Sequence, residues 1–536
     1  MKKLILSIFV SATVMLTSCG TEWLTEAQPG VTLLEDFYIS GQAAIQNVNA
    51  CYVPLMWEYN NTYSCEWWIG DVMSDDAVKG GQDTNDMGTV YNMENWQTIS
   101  SNDILLDMYQ FNYQGVARCN LVLTYVPDVE VDDEDFPQVT KDRVLAEAKF
   151  LRAMYYFRLV RIFGGVPLVD YIVDASSLWF QARATAAETY NFILTDLEDA
   201  QQYLWEKSEY DATDMGRATK GAAQAMLLKV NLYLASEGNA ANRTLSQAEY
   251  YTAAKAWGDS IISGSEYGLL ADYAENFTLE GENGDESVFE IQYIEESTSD
   301  YGEGSGFTRG NFTQTLTRSR SPNLGSGWGF NKPSQNLYDE FEAADSIRLF
   351  TTILNPTDDE IDNPTEEIYL GTRYVNRKTG LYYDDNTYYS LAHATRGPLN
   401  NTVIRYADVL LMYAEACLGA GDEGTATIYL NEVRNRVGLD AYPGYTFFIN
   451  GEEITSPTLE EAIRHERRVE LGMEGHRWFD LCRWGGLGAH MIAYQLTETT
   501  EYQGHLSSFI EGKHELFPIP SEEMDLNYAL EQNPGY

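Results

Sequence analysis

Apolar residues recur at helical spacing along most of this chain, and two long stretches break that spacing. Residues 44–56 and 104–125 predict the first long helices. In VLAEAKFLRAMYYFRLVRIFGGVPLV, residues 144–169, the positions Leu145, Ala148, Arg152, Tyr155, Tyr156 and Leu159 fall at helical intervals until Gly164, Gly165 and Pro167 stop the run. A helix over about residues 186–204, with Ile193, Leu197 and Ala200 on one face, completes a hairpin with it. The arrangement recurs over 219–235 with 248–262 and over 403–419 with 425–437. In the last pair, LLMYAEACLGAG followed by ATIYLNEV has the small-residue and aromatic spacing of a tetratricopeptide-type repeat, where small side chains let helices approach closely. The pairs diverge and are widely interrupted, so the pattern predicts a mainly α scaffold of three or four helix pairs carrying irregular excursions.

The excursions span about residues 58–102 and 273–394. The first holds Trp67, Trp68, Tyr91 and Trp96 among Asp, Asn and Gly; the second holds Phe307, Trp328, Phe330 and many Tyr among Gly, Ser, Asn and Thr. SVFEIQY, residues 287–293, alternates like a short strand, as does YYS near 388. Loops this long in a compact domain are usually functional. Flat rings stack on sugar faces while amides and carboxylates fix hydroxyls, so exposed aromatics in polar loops are candidate carbohydrate contacts. Trp96 and Trp328 are the first candidates for ligand binding, followed by Trp67, Tyr91 and Phe307. Trp67 and Trp68 are adjacent, so an extended backbone would turn one inward and one outward.

The densest stretch is TLEEAIRHERRVELGMEGHRWFDLCRW, residues 458–484. Thr458 with Glu461 reads as a capping box that opens a helix running to about Leu471. Glu460 with Arg464, and Arg467 with Glu470, are spaced to pair along it. Gly472 and Gly475 then weaken the helix, and Trp478, Leu481 and Cys482 predict a second short one. His465-Glu466 invites comparison with a zinc-protease HExxH helix, but Val469 stands where the second imidazole would be needed.

Charge and composition narrow the partners. A formal charge of −46 disfavours nucleic acid and anionic membrane surfaces, while 44% apolar residues against 22% charged indicate a folded acidic protein. Lys2 and Lys3 precede an apolar run too short for a membrane span, which ends in Leu16, Thr17, Ser18 and Cys19. This is the form of a bacterial lipobox: residues 1–18 are expected to be a signal peptide, Cys19 the lipidated residue, and residues 19–41 a tether to a single domain over 42–536. No later run of eighteen apolar residues exists, so lipid is the one expected membrane attachment. Cys51, Cys65, Cys119, Cys417 and Cys482 lack the spacing of a metal site or disulfide framework, and Cys417 and Cys482 fall on helical apolar faces. GxSxG, Walker and GxGxxG signatures are absent, and paired carboxylates carry no specificity among 81 acidic residues. The loop GGQDTNDMG, residues 80–88, and the run at 132–135 do not fit an EF-hand and are expected to be solvated; no cofactor or metal is expected.

The lipobox at Cys19, LRAMYYFRLVRIFGGVPLV (151–169), RYADVLLMYAEACLGAG with YLNEVRNRVGL, ERRVELGMEGHRWFDLCRWG (466–485) and the terminal LFPIPSEEMDLNYALEQNPGY resemble the SusD/RagB family of outer-membrane nutrient-binding lipoproteins, in that family's order. The resemblance implies a helical fold with four tetratricopeptide-type pairs, a lipid-anchored position on the outer-membrane surface, and association with a TonB-dependent SusC-like β-barrel transporter. It implies capture of an oligosaccharide, or sometimes another nutrient such as a peptide, without cleavage. The family's ligand residues vary, so only the loop regions holding Trp96 and Trp328 carry over. The alternatives are a helical-repeat adaptor for protein partners and, further off, a surface glycosidase.

Overall fold

The computed structural model describes residues 40–58, 62–132, 134–173, 176–296, 309–361, 368–384, 387–503 and 509–536. Eight long helices build the scaffold: α1 (Gly41–Tyr52), α2 (Asp103–Tyr125), α3 (Gln138–Phe163), α4 (Ala186–Tyr203), α5 (Lys220–Ala235), α6 (Gln247–Gly264), α7 (Tyr406–Gly419) and α8 (Glu423–Arg436). Consecutive members pack as α1 on α2, α3 on α4, α5 on α6 and α7 on α8. The pairs also lean on one another through α2 with α3, α4 with α5 and α6 with α7. The mainly α scaffold predicted from spacing is therefore present. Its starts are built from local chemistry: Thr185 with Glu188 and Ser246 with Glu249 form capping boxes for α4 and α6. Its contacts use small residues as expected, since a Cβ on Gly258 of α6 would meet the Tyr413 ring of α7 at 2.2 Å.

Helix boundaries differ from the pattern at several places: α3 starts at Gln138 rather than 144, α1 gives way to a 3-10 turn over Val53–Met56, and the seventh helix changes most in kind. The apolar spacing carried the seventh helix back to residue 403, but residues Asn401–Arg405 form a strand, β4, and α7 starts at Tyr406. Ser287–Ile291 is the expected strand, β2, and pairs antiparallel with β4. A short run of β-branched residues ahead of a helix carries both periods at once, and only the partner strand decides. A second antiparallel pair joins Ala77–Gly80 (β1) to Phe330–Pro333 (β3). It ties the first excursion to the second.

The stretch at 458–484 forms α9 (Leu459–Leu471) and α10 (Arg477–Trp484), and Thr458 and Glu461 make the predicted capping box. Glu460 and Arg464 pair on the exposed face. Arg467 and Glu470 do not pair with each other, because both are buried and each finds partners on other elements. Arg467 binds Asp408 of α7 at 2.8 Å and Asp480 of α10 at 3.0 Å, while Glu470 accepts from Arg348, Arg405 and Arg436. Glu466 takes Arg434 at 2.8 Å and also Arg348. Arg468 reaches Asp76 at 2.9 Å, Glu340 at 2.8 Å, Asp75 at 3.0 Å and the Asn336 side chain at 2.7 Å. Burial alone would raise the Glu470 carboxyl, but Arg436, Arg405 and Arg348 hold it well below the usual range. His465 is buried too: its Nδ1 bonds Glu340 at 3.0 Å and its ring stacks on Phe447 at 4.0 Å. Side chains that would be costly to bury alone are tolerable here because each meets opposite charge.

The cysteines are free. Cys51, Cys65, Cys119 and Cys417 are buried and Cys482 is half-buried. Cys19 lies outside the described residues.

Candidate functional site

The two aromatic-rich excursions meet along one seam. Beyond the β1–β3 ladder, Glu58 accepts from the backbone N–H of Phe312 at 2.7 Å and from the Thr313 hydroxyl at 2.7 Å. The Trp67 indole N–H donates to the same hydroxyl at 3.0 Å. Burial raises the Glu58 carboxyl, and the Thr313 and Phe312 donors partly offset that. At the outer side of the seam Trp328 is half-buried, with Tyr63 and Phe312 edge-on to it at 5.4 and 5.3 Å. Its backbone N–H donates to the Thr315 carbonyl at 2.9 Å, and Gly327 and Gly329 bond back to Ser319 and Arg318. The segment from Arg318 to Gly329 is thereby folded on itself. Gly329 has φ 71, and a side chain there would meet the Arg320 aliphatic stem at 2.8 Å.

Around Trp328 the polar groups are of the hydroxyl-fixing kind. Arg320 faces Asp86 at 3.9 Å across the seam. The Arg318 guanidinium lies 5.5 Å from the centre of the Tyr388 ring, and its N–H bonds the Tyr389 carbonyl at 2.8 Å. The Tyr389 hydroxyl donates to Glu295 at 3.0 Å, a bond that raises its phenol pKa. Tyr383 is exposed nearby in sequence. The arrangement offers aromatic faces with flanking donors and acceptors, a surface suited to binding.

The individual candidates separate. Trp328 stands at the seam. Trp67 is 8% exposed, and Trp68 is fully buried against it with ring centres 4.0 Å apart. The expected alternation fails because Trp68–Val72 is a π-helical turn rather than extended chain. Trp96 is 7% exposed and packs inward, stacked on Trp478 at 5.5 Å and on His514 at 5.8 Å, with Phe509 edge-on at 5.1 Å. Its placement follows from the end of the short helix Gly88–Glu94. The N–H of Gln97 returns to the Asn92 carbonyl at 2.8 Å, so Trp96 occupies the left-handed position usual for glycine, with φ 58. Its polar flanks come from that turn and not from solvent. Tyr91, on the same helix, is half-buried. Phe307 lies outside the described residues.

In the acidic loop at 80–88 Gln82, Asp83 and Asn85 are exposed, as expected of a solvated loop, while its backbone turns inward. Its carbonyls converge on the Lys79 ammonium, which donates to Gly80 at 2.7 Å, Asp83 at 3.0 Å and Asp86 at 2.5 Å. Burial lowers Lys79 to about 8, against the pull of Glu94 and Asp86. Among the described residues no cluster of three or more His, Cys, Asp or Glu could hold a metal ion. Tyr63, Phe312, Arg318 and Arg320 were not singled out from sequence. The signal for Tyr63 was the same polar flanking that marked Trp328; what lacked a signal was the strand pairing that brings it there.

Comparison with known proteins places both halves of the chain. A family model described as "SusD family" matches residues 351–536, and one described as "Starch-binding associating with outer membrane" matches residues 22–232. A SusD-like protein of Bacteroides ovatus is 26% identical over 492 residues, covering 89% of this chain and 82% of its own. A solved laminarin-binding SusD-like protein matches with TM-score 0.73 at 27% identity, over 93% of this chain and 100% of its own. Surface glycan-binding protein A from Bacteroides thetaiotaomicron, solved with laminarihexaose, matches with TM-score 0.75 at 25% identity, over 92% and 99%.

Proposed function

The chain belongs to the SusD family, and on that premise we propose that it is a non-catalytic cell-surface glycan-binding lipoprotein. It captures an oligosaccharide at the aromatic seam around Trp328 and delivers it to a TonB-dependent SusC-like β-barrel transporter. The observation that carries this reading is the convergence of the two Trp- and Tyr-rich excursions on Trp328 and Tyr63, fixed by β1–β3 and backed by the buried ion network. Cys19 is the anchor, residues 19–41 the tether, and residues 42–536 one domain. The laminarin and laminarihexaose named for the solved relatives make β-glucan the first ligand to try.

The test is affinity electrophoresis through gels containing laminarin and a panel of other soluble polysaccharides, with release of reducing sugar measured in parallel. One polysaccharide is expected to slow the protein, Trp328→Ala to weaken that retardation on the order of tenfold or more, and no reducing sugar to appear. Full retention by Trp328→Ala would remove the site assignment, and sugar release would remove the non-catalytic one.

A further inference from the structure

Beneath the seam lies a cavity of about 120 Å³, room for about four water molecules. It runs between α3, α5 and β4, the strand that leads into α7, and Asn276, Phe277, Asn401 and Thr402 are among the residues that line it. Trp67, Met154, Phe157, Met226 and Met473 supply apolar walls.

Two polar side chains line it without using their hydrogen-bonding capacity. Gln314 is fully buried, and neither its amide nitrogen nor its amide oxygen has a partner. Its position is fixed, since a Cβ on Gly397 would fall 1.8 Å from the amide oxygen. Leaving a buried amide unpaired is costly unless something else fills the role. The His476 imidazole also makes no hydrogen bond to the described residues. Burial and the neighbouring Lys229 lower its pKa to about 4, so it is neutral at pH 7, with one ring nitrogen to donate and one to accept.

The charged lining is already matched. Glu66 meets Arg158 at 3.0 Å and also Arg161; Lys229 meets Asp408 at 3.2 Å, and Lys378 meets Glu474 at 2.8 Å. Glu58 is occupied by Phe312 and Thr313. An anion brought inside would find every lining cation already paired, whereas a neutral ligand with an apolar face and several hydroxyls would meet the free amide, the free imidazole and the aromatic wall.

We propose that this cavity is a second binding site, separate from the surface seam, for a neutral polyhydroxylated molecule about the size of one sugar ring, held by Gln314 and His476. The site stands whether or not the seam binds polysaccharide. Saturation-transfer NMR and titration of the purified protein with D-glucose, D-galactose and N-acetyl-D-glucosamine, and with the charged analogues gluconate and glucosamine, test it. At least one neutral sugar is expected to bind, with the charged analogues weaker. Gln314→Met is expected to weaken binding roughly tenfold. His476→Leu serves as the second variant, with melting curves confirming that each variant folds. The proposal is overturned if no neutral sugar binds and a crystal grown with them shows water only in the cavity. It is equally overturned if Trp328→Ala abolishes monosaccharide binding while Gln314→Met and His476→Leu retain it. Neither result bears on retardation by polysaccharide at the seam.

Discussion

Arg468 joins α9 to both excursions at once, through Asp75 and Asp76 on one and Asn336 and Glu340 on the other. Arg468→Met keeps much of the volume and removes the cation. Asp75 retains Arg477 at 2.7 Å and His490 at 2.7 Å, but Glu340 and Asp76 lose their nearest guanidinium, Glu340 keeping only His465 at 3.0 Å and Asp76 only Arg477 at 3.9 Å. Stripping the partner from a buried carboxylate costs about 3–5 kcal/mol, and about 4 kcal/mol is taken here. With unfolding entropy near 2.1 cal/mol/K per residue, a chain of 536 residues gives about 1.1 kcal/mol per degree, so the melting midpoint should fall by about 4 °C.

Arg464, on the same helix, pairs with Glu460 where the two side chains are 38% and 58% exposed, so Arg464→Ala should move the midpoint by less than about 1 °C. Scanning calorimetry of both variants makes the comparison. Adding Glu340→Gln to Arg468→Met should cost less than the sum of the single changes, because the stranded charge is then removed. Equal shifts for Arg468→Met and Arg464→Ala, or strict additivity of the double variant, would refute the claim that burial sets the strength of this network.

Acid should unfold the protein through the same network. Desolvation alone would raise Glu342, Glu474 and Asp480, yet their guanidinium and ammonium neighbours, with His465 3.6 Å from Glu342, hold each at about 2. Their folded values lie below the unfolded ones, so the stability they add is complete above about pH 4.5 and is lost as pH falls towards 2. A melting midpoint unchanged between pH 5 and 2.5 would contradict this. Ellman's reagent should leave Cys51, Cys65, Cys119 and Cys417 unmodified until denaturant is added, and reducing agent should not alter gel mobility. Cys19→Ala protein expressed without the proposed transporter should leave the membrane fraction; continued fractionation with outer membrane would end the lipid-anchor proposal.

Much of the scaffold was legible because helix pairs declare themselves locally: a 3.6-residue period, a capping box such as Thr458–Glu461, and a glycine or proline stop. The site was legible by region. Trp328 and Trp96 share the same polar, aromatic context in sequence, and what separates them is the left-handed turn that swings Trp96 onto Trp478. Arg467 and Glu470 show the complementary limit. Their three-residue spacing is correct for a surface pair, but their partners are on residues 60 or more positions away for Glu470's Arg405 and on α7 and α10 for Arg467. Interior pairing of distant elements leaves no local trace.

Drawing arginines such as Arg348, Arg405, Arg467, Arg468 and Arg483 into the interior alters what the outside presents to a ligand. Buried carboxylates accompany them almost one for one, so the interior is nearly neutral and the formal charge of −46 falls almost entirely on the rest of the chain. A sulfated or uronic-acid polymer would approach against that field over a range of about 8 Å at physiological salt, while an uncharged glucan would not. Discrimination among polysaccharides by charge therefore rests on the acidic residues left over once the interior pairs are closed.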